Sequence, residues 1–410
     1  MDFLWKEDKA LGNVCILMPP NMNIGIFTDT YLPQVNGVVT VIRNLEKGLK
    51  ERGHNVYIFT VKHPGANNKD NIIRVPSMRF FREPQHRIGT PLSLSLQNKV
   101  KNLELDIIHT HTEFSMWVQA VQVAKKYKVP MVHTMHTMYD EYVRYYSPLV
   151  EYLMKDLFDY WLSVICRASN TLIAPSEKVK KLLLNYYDKT PVVVIPNGID
   201  LSTFYDIPEN DLEKRKKFRK RFGIKDNEKV MIFVGRMGKE KSVDNLIYNI
   251  KHLTEFIPDV KLLLVGDGPE KKNLELLSTE LGVSENVIFT GYLNWPDEIS
   301  LAYRSSDIFV SASHTEIHPI TFIEAMASKL PVVAYDDSSI EYMVINDVNG
   351  YKYKTKKEMW KGMKVILKDE NIRESMSKKS YEMSGEFTID RFTENTLQLY
   401  NKVKEETPTN

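Results

Sequence analysis

Two carboxylates flank the start of a predicted helix in TEIHPITFIEAMASKLPVVA, residues 315–334. Glu316 follows the strand-like run DIFVSAS, and Glu324 comes eight positions later, about one turn inside the helix. Ionised carboxylates only accept hydrogen bonds, so Glu324 can accept two from a ribose diol and Glu316 can bind sugar hydroxyls. The alternative is that Glu324 merely complements the helix dipole and that Glu316 is an ordinary loop charge.

The helix start between these carboxylates can itself bind an anion. Pro319 suits the first helical position, because the N–H that proline lacks would have no partner there. The next amides, those of Ile320 and Thr321, are donors at the positive end of the helix dipole. The stretch therefore predicts a phosphate site with a carboxylate on either side.

A second stretch, FVGRMGKEKSVDNLI at residues 233–247, places two cations in a glycine-containing loop after a strand. The Arg236 guanidinium can bind a phosphate bidentately, and the Lys241 ammonium adds a point charge. A diphosphate fits this pair, although an ordinary solvated loop would have the same composition. No complete G-x-G-x-x-G follows a strand, which disfavours a nicotinamide-dependent oxidoreductase.

Short apolar runs alternating with amphipathic helices must position these residues. One series begins with NIGIFT and VYIFTV, and a second begins with VMIFVG and VKLLLVGDG after a charged stretch without strand signals. Strands this apolar predict parallel sheets covered on both faces. The expected fold class is α/β, with two doubly wound Rossmann-like domains facing a cleft, where ligands bind beyond the strand ends.

The change of pattern near Asp200 sets the predicted domain limits. Residues 22–203 form an N-terminal domain and residues 204–385 a C-terminal domain. A last helix within residues 386–410 is expected to pack back on the N-terminal domain. Residues 1–21 precede the first strand and are expected to be a disordered extension.

Composition narrows the function classes. The chain is 43% hydrophobic and 26% charged, and its net charge of +2 provides no general attraction to nucleic acid. Two cysteines, Cys15 and Cys166, cannot build a disulfide framework, which favours a reducing, intracellular setting. No run approaches the roughly 20 apolar residues of a membrane-spanning helix.

Together these motifs resemble the retaining nucleotide-sugar glycosyltransferases of family 4, which have the GT-B fold. The resemblance rests on E-x7-E with EAMAS-x-LPVVA, on GRMGKEKS, and on LLLVGDGPE, FTGYL and IPNGID. The N-terminal runs IGIFTDTYLPQVNGVVTVIRNLEKGLKERGH and HTMHTMYDEYVRYY are similar to bacterial enzymes that glucosylate diacylglycerol. The likeness extends from about Asn23 to Asn401.

This resemblance implies a role for each matching residue of the C-terminal domain. Arg236 and Lys241 would neutralise the leaving nucleoside diphosphate, and they would do so without a metal ion. Glu324 would hold the ribose hydroxyls, while Glu316 would hold the hydroxyls of the donor sugar. The backbone around Tyr292 would border the nucleotide base. Catalysis would then depend largely on electrostatic stabilisation of the departing diphosphate.

The N-terminal, acceptor-binding domain would contribute three residues. Asn36 and Gly37 would let the backbone approach the phosphates or the acceptor, and His136 would lie near the reacting sugar. Two positions depart from the family pattern, which usually has glycine at Pro319 and often at Lys329. Proline at position 319 removes one amide donor from the helix start.

Other histidines and acidic residues are predicted to be structural. His109, His111 and His133 follow strands, where histidines are usually hydrogen-bonded structural residues; a metal site built from them with His136 is the alternative. No Asp-x-Asp occurs in the chain, so neither a metal nor another cofactor is expected. The adjacent Asp336 and Asp337 are read as part of a loop.

The predicted reaction moves a hexose, glucose from UDP-glucose, onto diacylglycerol with retention. Other acceptors remain open, namely a polyprenyl-linked, wall or capsular saccharide or a soluble sugar. A UDP-sugar epimerase, or a binding protein without turnover, is the alternative from a different class.

A lipid acceptor implies contact with an anionic membrane surface. RVPSMRFFREPQHR, residues 74–87, surrounds two aromatic side chains with arginines, a composition that an anionic interface attracts. The residues expected to contact the membrane are Arg74, Arg79, Phe80, Phe81, Arg82 and Arg87. The cationic run at residues 214–221 is either a further contact or a solvated helix face. The expected location is cytoplasmic, peripheral on the inner face of the cell membrane.

Overall fold

The computed structural model describes residues 21–34, 36–66, 70–79, 87–90, 93–136, 148–205, 207–294 and 296–407. Apart from Asn21, the predicted extension at residues 1–21 lies outside this part of the chain. Two parallel sheets with helices between their strands make up the described fold, which confirms the predicted α/β class with two Rossmann-like domains. The domain limits themselves stay a prediction.

The N-terminal sheet has the strand order β3-β2-β1-β6-β7-β8-β9, and all of its pairs are parallel. Strands β4 and β5 form a separate antiparallel pair. The elements of this half are β1 (Asn23–Phe27), α1 (Gly37–Glu51), β2 (Asn55–Val61), β3 (Ile72–Val75), β4 (Ser77–Arg79), β5 (Arg87–Gly89), α2 (Leu94–Lys101), β6 (Ile107–Thr110), α3 (Ser115–Tyr127), β7 (Met131–Thr134), α4 (Pro148–Ala168), β8 (Thr171–Ala174), α5 (Glu177–Tyr186) and β9 (Val192–Val194).

The C-terminal sheet has the order β12-β11-β10-β13-β14-β15 and is also parallel. Its elements are α6 (Ser202–Tyr205), α7 (Asp211–Arg221), β10 (Lys229–Val234), α8 (Val243–Thr254), β11 (Val260–Val265), α9 (Lys271–Glu280), β12 (Val287–Gly291), α10 (Asp297–Arg304), β13 (Ile308–Ser311), α11 (Ile320–Ala327), β14 (Val332–Tyr335), β15 (Gly350–Tyr353), α12 (Lys356–Lys368), α13 (Glu370–Ser384) and α14 (Ile389–Glu406). Strands β10 and β13 are neighbours, so the loops that follow them lie side by side.

The last helix, α14, crosses from the C-terminal domain and packs on α1 of the N-terminal domain. Its buried side chains join the hydrophobic cluster beneath the first sheet; these are Phe392, Leu397, Leu399, Tyr400 and Val403. Lys404 also forms an ion pair with Asp106 at 2.7 Å. Burial of apolar side chains is the main stabilising term in folding, so this helix forms part of the N-terminal core.

The cationic helix α7 is less solvated than its composition indicates. Arg219 is buried, and its guanidinium donates to the carbonyl oxygens of Ser305, Lys225 and Glu228 at 2.5–3.0 Å. Phe218 is buried beside it. Of the two readings of residues 214–221, the solvated helix face does not hold at Arg219, because helix-end and loop carbonyls inside the domain require donors.

Candidate active site

The loops after β10 and β13 meet through an ion pair. Lys241, in a 3-10 turn at Lys239–Lys241, donates from Nζ to Glu316 Oε1 at 2.7 Å. Both side chains are mostly buried. Arg236 comes directly after Gly235 in the same loop and is 65% exposed, with the carboxylate of Glu240 3.8 Å away. The structure therefore brings two of the predicted phosphate ligands to one sheet edge and pairs one of them with the predicted sugar ligand.

Helix α11 begins at the position that the sequence indicates, with one difference. Pro319 is the N-cap rather than the first helical residue, because its ψ of 107° is extended, and the helix starts at Ile320. The Pro319 carbonyl accepts the amide of Phe322 at 3.2 Å. Ile320 and Thr321, both half-buried, occupy the first turn, where amides lack partners within a helix. An anion can approach this end along the helix dipole.

Glu324 lies one turn further along α11 and is buried. Its Oε2 accepts a hydrogen bond from the Tyr303 hydroxyl at 3.2 Å, and the same hydroxyl is 3.2 Å from the Thr321 carbonyl oxygen. Burial, with the charge of Glu324, raises the pKa of Tyr303 well above its usual value, so this hydroxyl stays a donor. Tyr303 thus orients the carboxylate. The sequence carries no signal for this, since a buried tyrosine on a helix is ordinary.

Tyr292 follows β12 at the same edge of the sheet. It is 80% exposed, and the preceding Gly291 has a left-handed φ of 70°. An exposed aromatic ring provides a flat face on which a nucleobase can stack. The ring is open to such a contact, and the role of Tyr292 at the border of the base stays a prediction.

Asn36 and Gly37 lie after β1, at the start of α1. The Asn36 side chain accepts the Val39 amide at 3.0 Å and donates to Thr30 Oγ1 at 2.9 Å, so it caps the helix. Gly37 is exposed, and a Cβ built on it would meet no atom of the described residues within 4 Å. Those residues thus leave open space at Gly37 toward which a ligand can approach.

His136 follows the end of β7, and its hydrogen-bond partner, His111, follows the end of the neighbouring strand β6. Its Nε2 is hydrogen-bonded to Nδ1 of His111 at 2.8 Å, and the two rings stack. Burial, together with the charges of His133 and His318, lowers the pKa of His136 to about 3. His318 belongs to the loop before α11, and the adjacent Ile317 packs on the hydrophobic cluster that contains Met135, so this loop lies close to the end of β7. A neutral His136 can donate a hydrogen bond to a ligand but carries no charge near neutral pH.

The other predicted histidines are hydrogen-bonded inside the first sheet. His109 is bonded to the Tyr400 hydroxyl and to Thr134 Oγ1, both at 2.6 Å. His133 is bonded to Thr110 Oγ1 at 2.7 Å and lies 3.4 Å from the Glu113 carboxylate. Within the described ranges, no group of three or more His, Cys, Asp and Glu side chains is arranged to hold a metal ion.

Acid should destabilise the protein through the buried imidazole of His318. Burial lowers the pKa of His318 to about 4, whereas an unfolded histidine titrates near 6.5. Between these values the unfolded state binds more protons, so stability falls as the pH drops from about 6.5 toward 4. Urea unfolding at pH 7 and pH 5 measures how much the free energy of unfolding falls between these two values. That fall should be about 2 kcal/mol smaller in His318→Asn than in the wild type. Equal losses would contradict this expectation.

The predicted membrane residues divide into three groups. Phe80, Phe81 and Arg82 lie outside the described residues. Arg79 is exposed on β4. Arg74 instead donates to the carbonyl oxygens of Leu32 and Val61, at 2.7 and 3.0 Å.

Arg87 is likewise engaged by backbone and hydroxyl groups. Its guanidinium donates to Oγ and to the carbonyl oxygen of Ser77, at 2.8 and 3.0 Å. Arg74 and Arg87 therefore link neighbouring segments through hydrogen bonds, and their contact with a membrane stays a prediction. Within the part of the chain that is described, no helix is long and apolar enough to cross a bilayer.

Comparison with known proteins agrees with this geometry. A family model described as "Glycosyltransferase Family 4" matches residues 35–203, and one described as "Glycosyl transferases group 1" matches residues 214–383. An alpha-monoglucosyldiacylglycerol synthase of Streptococcus pneumoniae is 34% identical over 396 residues, which cover 92% of this chain and 88% of the relative. The protein of the same name from Acholeplasma laidlawii is 30% identical over 388 residues, with 92% and 96% covered.

Solved structures show the same architecture. Anabaena HepE in complex with UDP superposes with a TM-score of 0.71 at 18% identity, over 93% of this chain and all of that one. Sucrose-phosphate synthase from Thermosynechococcus elongatus gives 0.70 at 20% identity, over 93% and 99%. Fold and sequence relatives together define a GT-B glycosyltransferase. More narrowly, the chain belongs to glycosyltransferase family 4, and it is a hexosyltransferase.

Proposed function

We propose that this enzyme transfers glucose from UDP-glucose to diacylglycerol, with retention of the anomeric configuration, at a membrane surface. The observation that carries the proposal is the Lys241–Glu316 ion pair at the start of α11, where a cation for the diphosphate and a carboxylate for the sugar touch. The acceptor is proposed from the two relatives named as monoglucosyldiacylglycerol synthases.

The donor lies across the edge of the C-terminal sheet. Its diphosphate contacts Arg236, Lys241 and the first amides of α11, and its ribose hydroxyls donate to Glu324. When the diphosphate arrives, Lys241 can exchange part of its contact with Glu316 for a phosphate oxygen, which leaves that carboxylate available to the sugar hydroxyls. Two cations and a helix dipole then stabilise the negative charge that develops as the diphosphate leaves.

The transfer step breaks the bond between the anomeric carbon and the diphosphate oxygen. The acceptor hydroxyl forms the new bond on the same face, and its proton passes to the departing phosphate. This front-face route requires no enzymic nucleophile. Neutral His136 donates a hydrogen bond near the reacting sugar, a role that suits its lowered pKa.

The acceptor reaches the N-terminal domain from a membrane at the β4–β5 hairpin. Met78 and Ile88 pair across its strands and are 78% and 44% exposed. The Gly89 amide donates to Ser115 Oγ at 2.9 Å, which ties the hairpin to the start of α3 beside the exposed Phe114. Exposed apolar side chains with Arg79 beside them suit the interface of an anionic bilayer. We place the enzyme, accordingly, on the inner face of the cell membrane.

Radiolabelled UDP-glucose and vesicles containing diacylglycerol and an anionic phospholipid test the proposed reaction. A lipid-soluble glucosyl product with an α linkage by NMR is the expected result. Product formed only with polyprenyl or soluble sugar acceptors would refute the acceptor, and isomerised UDP-sugar without any acceptor would indicate an epimerase. Competition with UDP, GDP and ADP tests the nucleotide base in the same assay.

Replacing Met78 and Ile88 together with serine should weaken vesicle binding by at least about 30-fold, because each apolar side chain that inserts contributes on the order of 1–2 kcal/mol at partial burial, or about 2–4 kcal/mol for the pair. Cosedimentation with anionic vesicles measures the change. Leu276→Ser, at a 63% exposed site on α9 of the other domain, is the matched control. Serine at Phe80 and Phe81 should act in the same direction. Binding equal to the control would contradict this contact surface.

A further inference from the structure

Helix α5 of the N-terminal domain reaches the loop that carries Glu316. Lys178, in the first turn of α5, donates from Nζ to the carbonyl oxygens of His314 and Glu316, at 3.4 and 3.2 Å. The same ammonium lies 3.4 Å from Oδ2 of Asp337, and both side chains are more than four-fifths buried. One lysine thus connects three points of the C-terminal domain.

The partner surface for Lys178 is itself fixed. Asp337 Oδ1 accepts the Ser339 amide at 2.8 Å, which caps a 3-10 turn at Ser338–Ile340 that packs on α5. Next to Lys178, the Glu177 carboxylate accepts the Tyr342 hydroxyl at 3.3 Å. The cap therefore fixes the orientation of the Asp337 carboxylate, and its second oxygen, Oδ2, faces Lys178. Sequence reasoning treated Asp337 as a loop residue and did not single out Lys178.

Glu316 is consequently held from both domains. Its main-chain carbonyl is bound by Lys178 of the N-terminal domain, and its carboxylate by Lys241 of the C-terminal domain. A shift of the main chain at this residue would move the carboxylate by a similar distance. Misplacement of a substrate-binding group by about 1 Å can lower a rate about 100-fold.

We propose that Lys178 is a positioning residue for sugar transfer, which sets the Glu316 loop only while α5 is docked on the C-terminal domain. The proposal rests on the proposed function, since it takes Glu316 to bind the donor sugar. Lys178 acts through that loop and touches no reacting atom. The donor site is then complete only when the two domains are in contact.

The competing explanation is a simple interface ion pair. Such a pair would contribute to domain association alone, and its loss would change the binding of every donor fragment alike. A positioning role instead affects the sugar, which Glu316 contacts, more than the nucleotide, which it does not. UDP-glucose and UDP therefore serve as a matched pair of probes.

Lys178→Met keeps the aliphatic stem and removes the three donors. The expected result is a kcat/KM for UDP-glucose that is about 10- to 100-fold lower, with the Kd for UDP changed by less than about twofold. Lys178→Arg should recover most of the loss, because it retains charge and donors. Lys181→Met, at an exposed site on the same helix, is the control and should behave as the wild type.

Hydrogen–deuterium exchange of the ligand-free enzyme tests the loop without any donor. The peptide spanning residues 312–322 should exchange faster in Lys178→Met than in Lys181→Met, and faster to a smaller extent in Asp337→Asn, which keeps the turn cap. Unchanged exchange, or equal losses for UDP and UDP-glucose, would overturn the positioning role. If the loop exchanges faster in Lys178→Met but the wild-type enzyme does not turn over UDP-glucose, the contact of Lys178 with the loop is supported and the proposed function is refuted instead.

Discussion

Replacing Lys241 with alanine is expected to lower kcat for sugar transfer by about 10²–10³-fold, the scale for removing one donor that stabilises transition-state charge. The diphosphate gains negative charge as the anomeric bond breaks, and the Lys241 ammonium lies at the loop where it leaves. The side chain is mostly buried against Glu316 at 2.7 Å, so its charge acts where water screens it little. Initial rates with UDP-glucose and diacylglycerol vesicles measure the effect.

A matched control lies two residues away in the same turn. Lys239 is exposed, so Lys239→Ala removes an equal charge from the same loop without removing the contact to Glu316. Its rate should stay within about threefold of the wild type, because exposed charges are strongly screened. If Lys241→Ala retained a rate similar to that of Lys239→Ala, the role of Lys241 in diphosphate departure would be refuted.

The partner carboxylate requires a separate comparison, since removal of Lys241 also leaves Glu316 without this contact. Glu316→Gln should raise KM for UDP-glucose while leaving UDP affinity nearly unchanged. In the double variant, the losses should fall short of the product of the single effects, because residues in direct contact are not additive. Fully multiplicative losses would mean that the 2.7 Å ion pair has no part in catalysis.

Local sequence patterns were sufficient to predict the fold class, because each strand can be recognised from its own residues. The run at β10 is apolar on both faces and stops at Gly235, as expected for a parallel strand inside two helical layers. Helix starts are also local: Asn36 caps α1, and Thr355 with Glu358 forms a capping box for α12. These signals need only neighbouring residues. The family resemblance added the roles of Arg236 and Lys241.

Contacts between distant residues could not be predicted in the same way. Lys241 and Glu316 are 75 positions apart and meet because β10 and β13 are neighbours in the sheet. Strand order depends on the packing of the whole domain, and the sequence near either residue carries no signal for it. The contact of Lys178 with the donor loop requires, in addition, the arrangement of two domains.

The hydrogen-bond partners of some arginines could not be predicted either, for a physical reason. Arg219 lies in a cationic run and Arg74 lies between apolar residues, yet both donate to carbonyl oxygens inside the fold. An arginine can bury its aliphatic stem and satisfy several backbone acceptors at once. Composition alone therefore cannot tell which arginines donate to the backbone inside the fold.

Tyr400→Ala is expected to lower the free energy of unfolding of the N-terminal domain by about 3–5 kcal/mol, the range for deleting a large buried aromatic side chain. Tyr400 is fully buried on α14, within the hydrophobic cluster that α14 shares with α1 and β1. Its hydroxyl is hydrogen-bonded to Nδ1 of His109 at 2.6 Å. The alanine variant therefore creates a cavity and also leaves a buried imidazole nitrogen without this partner.

Two further variants separate the cavity from the hydrogen bond. Tyr400→Phe removes only the hydroxyl and should cost about 1–2 kcal/mol, because the His109 ring is buried and neutral and loses one partner. Gln398→Ala, at an exposed site on the same helix, should change stability by less than about 0.5 kcal/mol. Urea unfolding followed by far-UV circular dichroism and by hydrogen exchange of α1 peptides resolves the N-terminal transition from that of the second domain. The expected order of stability loss is Tyr400→Ala above Tyr400→Phe above Gln398→Ala. This order would make the C-terminal helix part of the core that holds His109 and the strand ends next to His136. An unfolding midpoint for Tyr400→Ala equal to that of Gln398→Ala would mean instead that α14 is docked on the N-terminal domain without stabilising it.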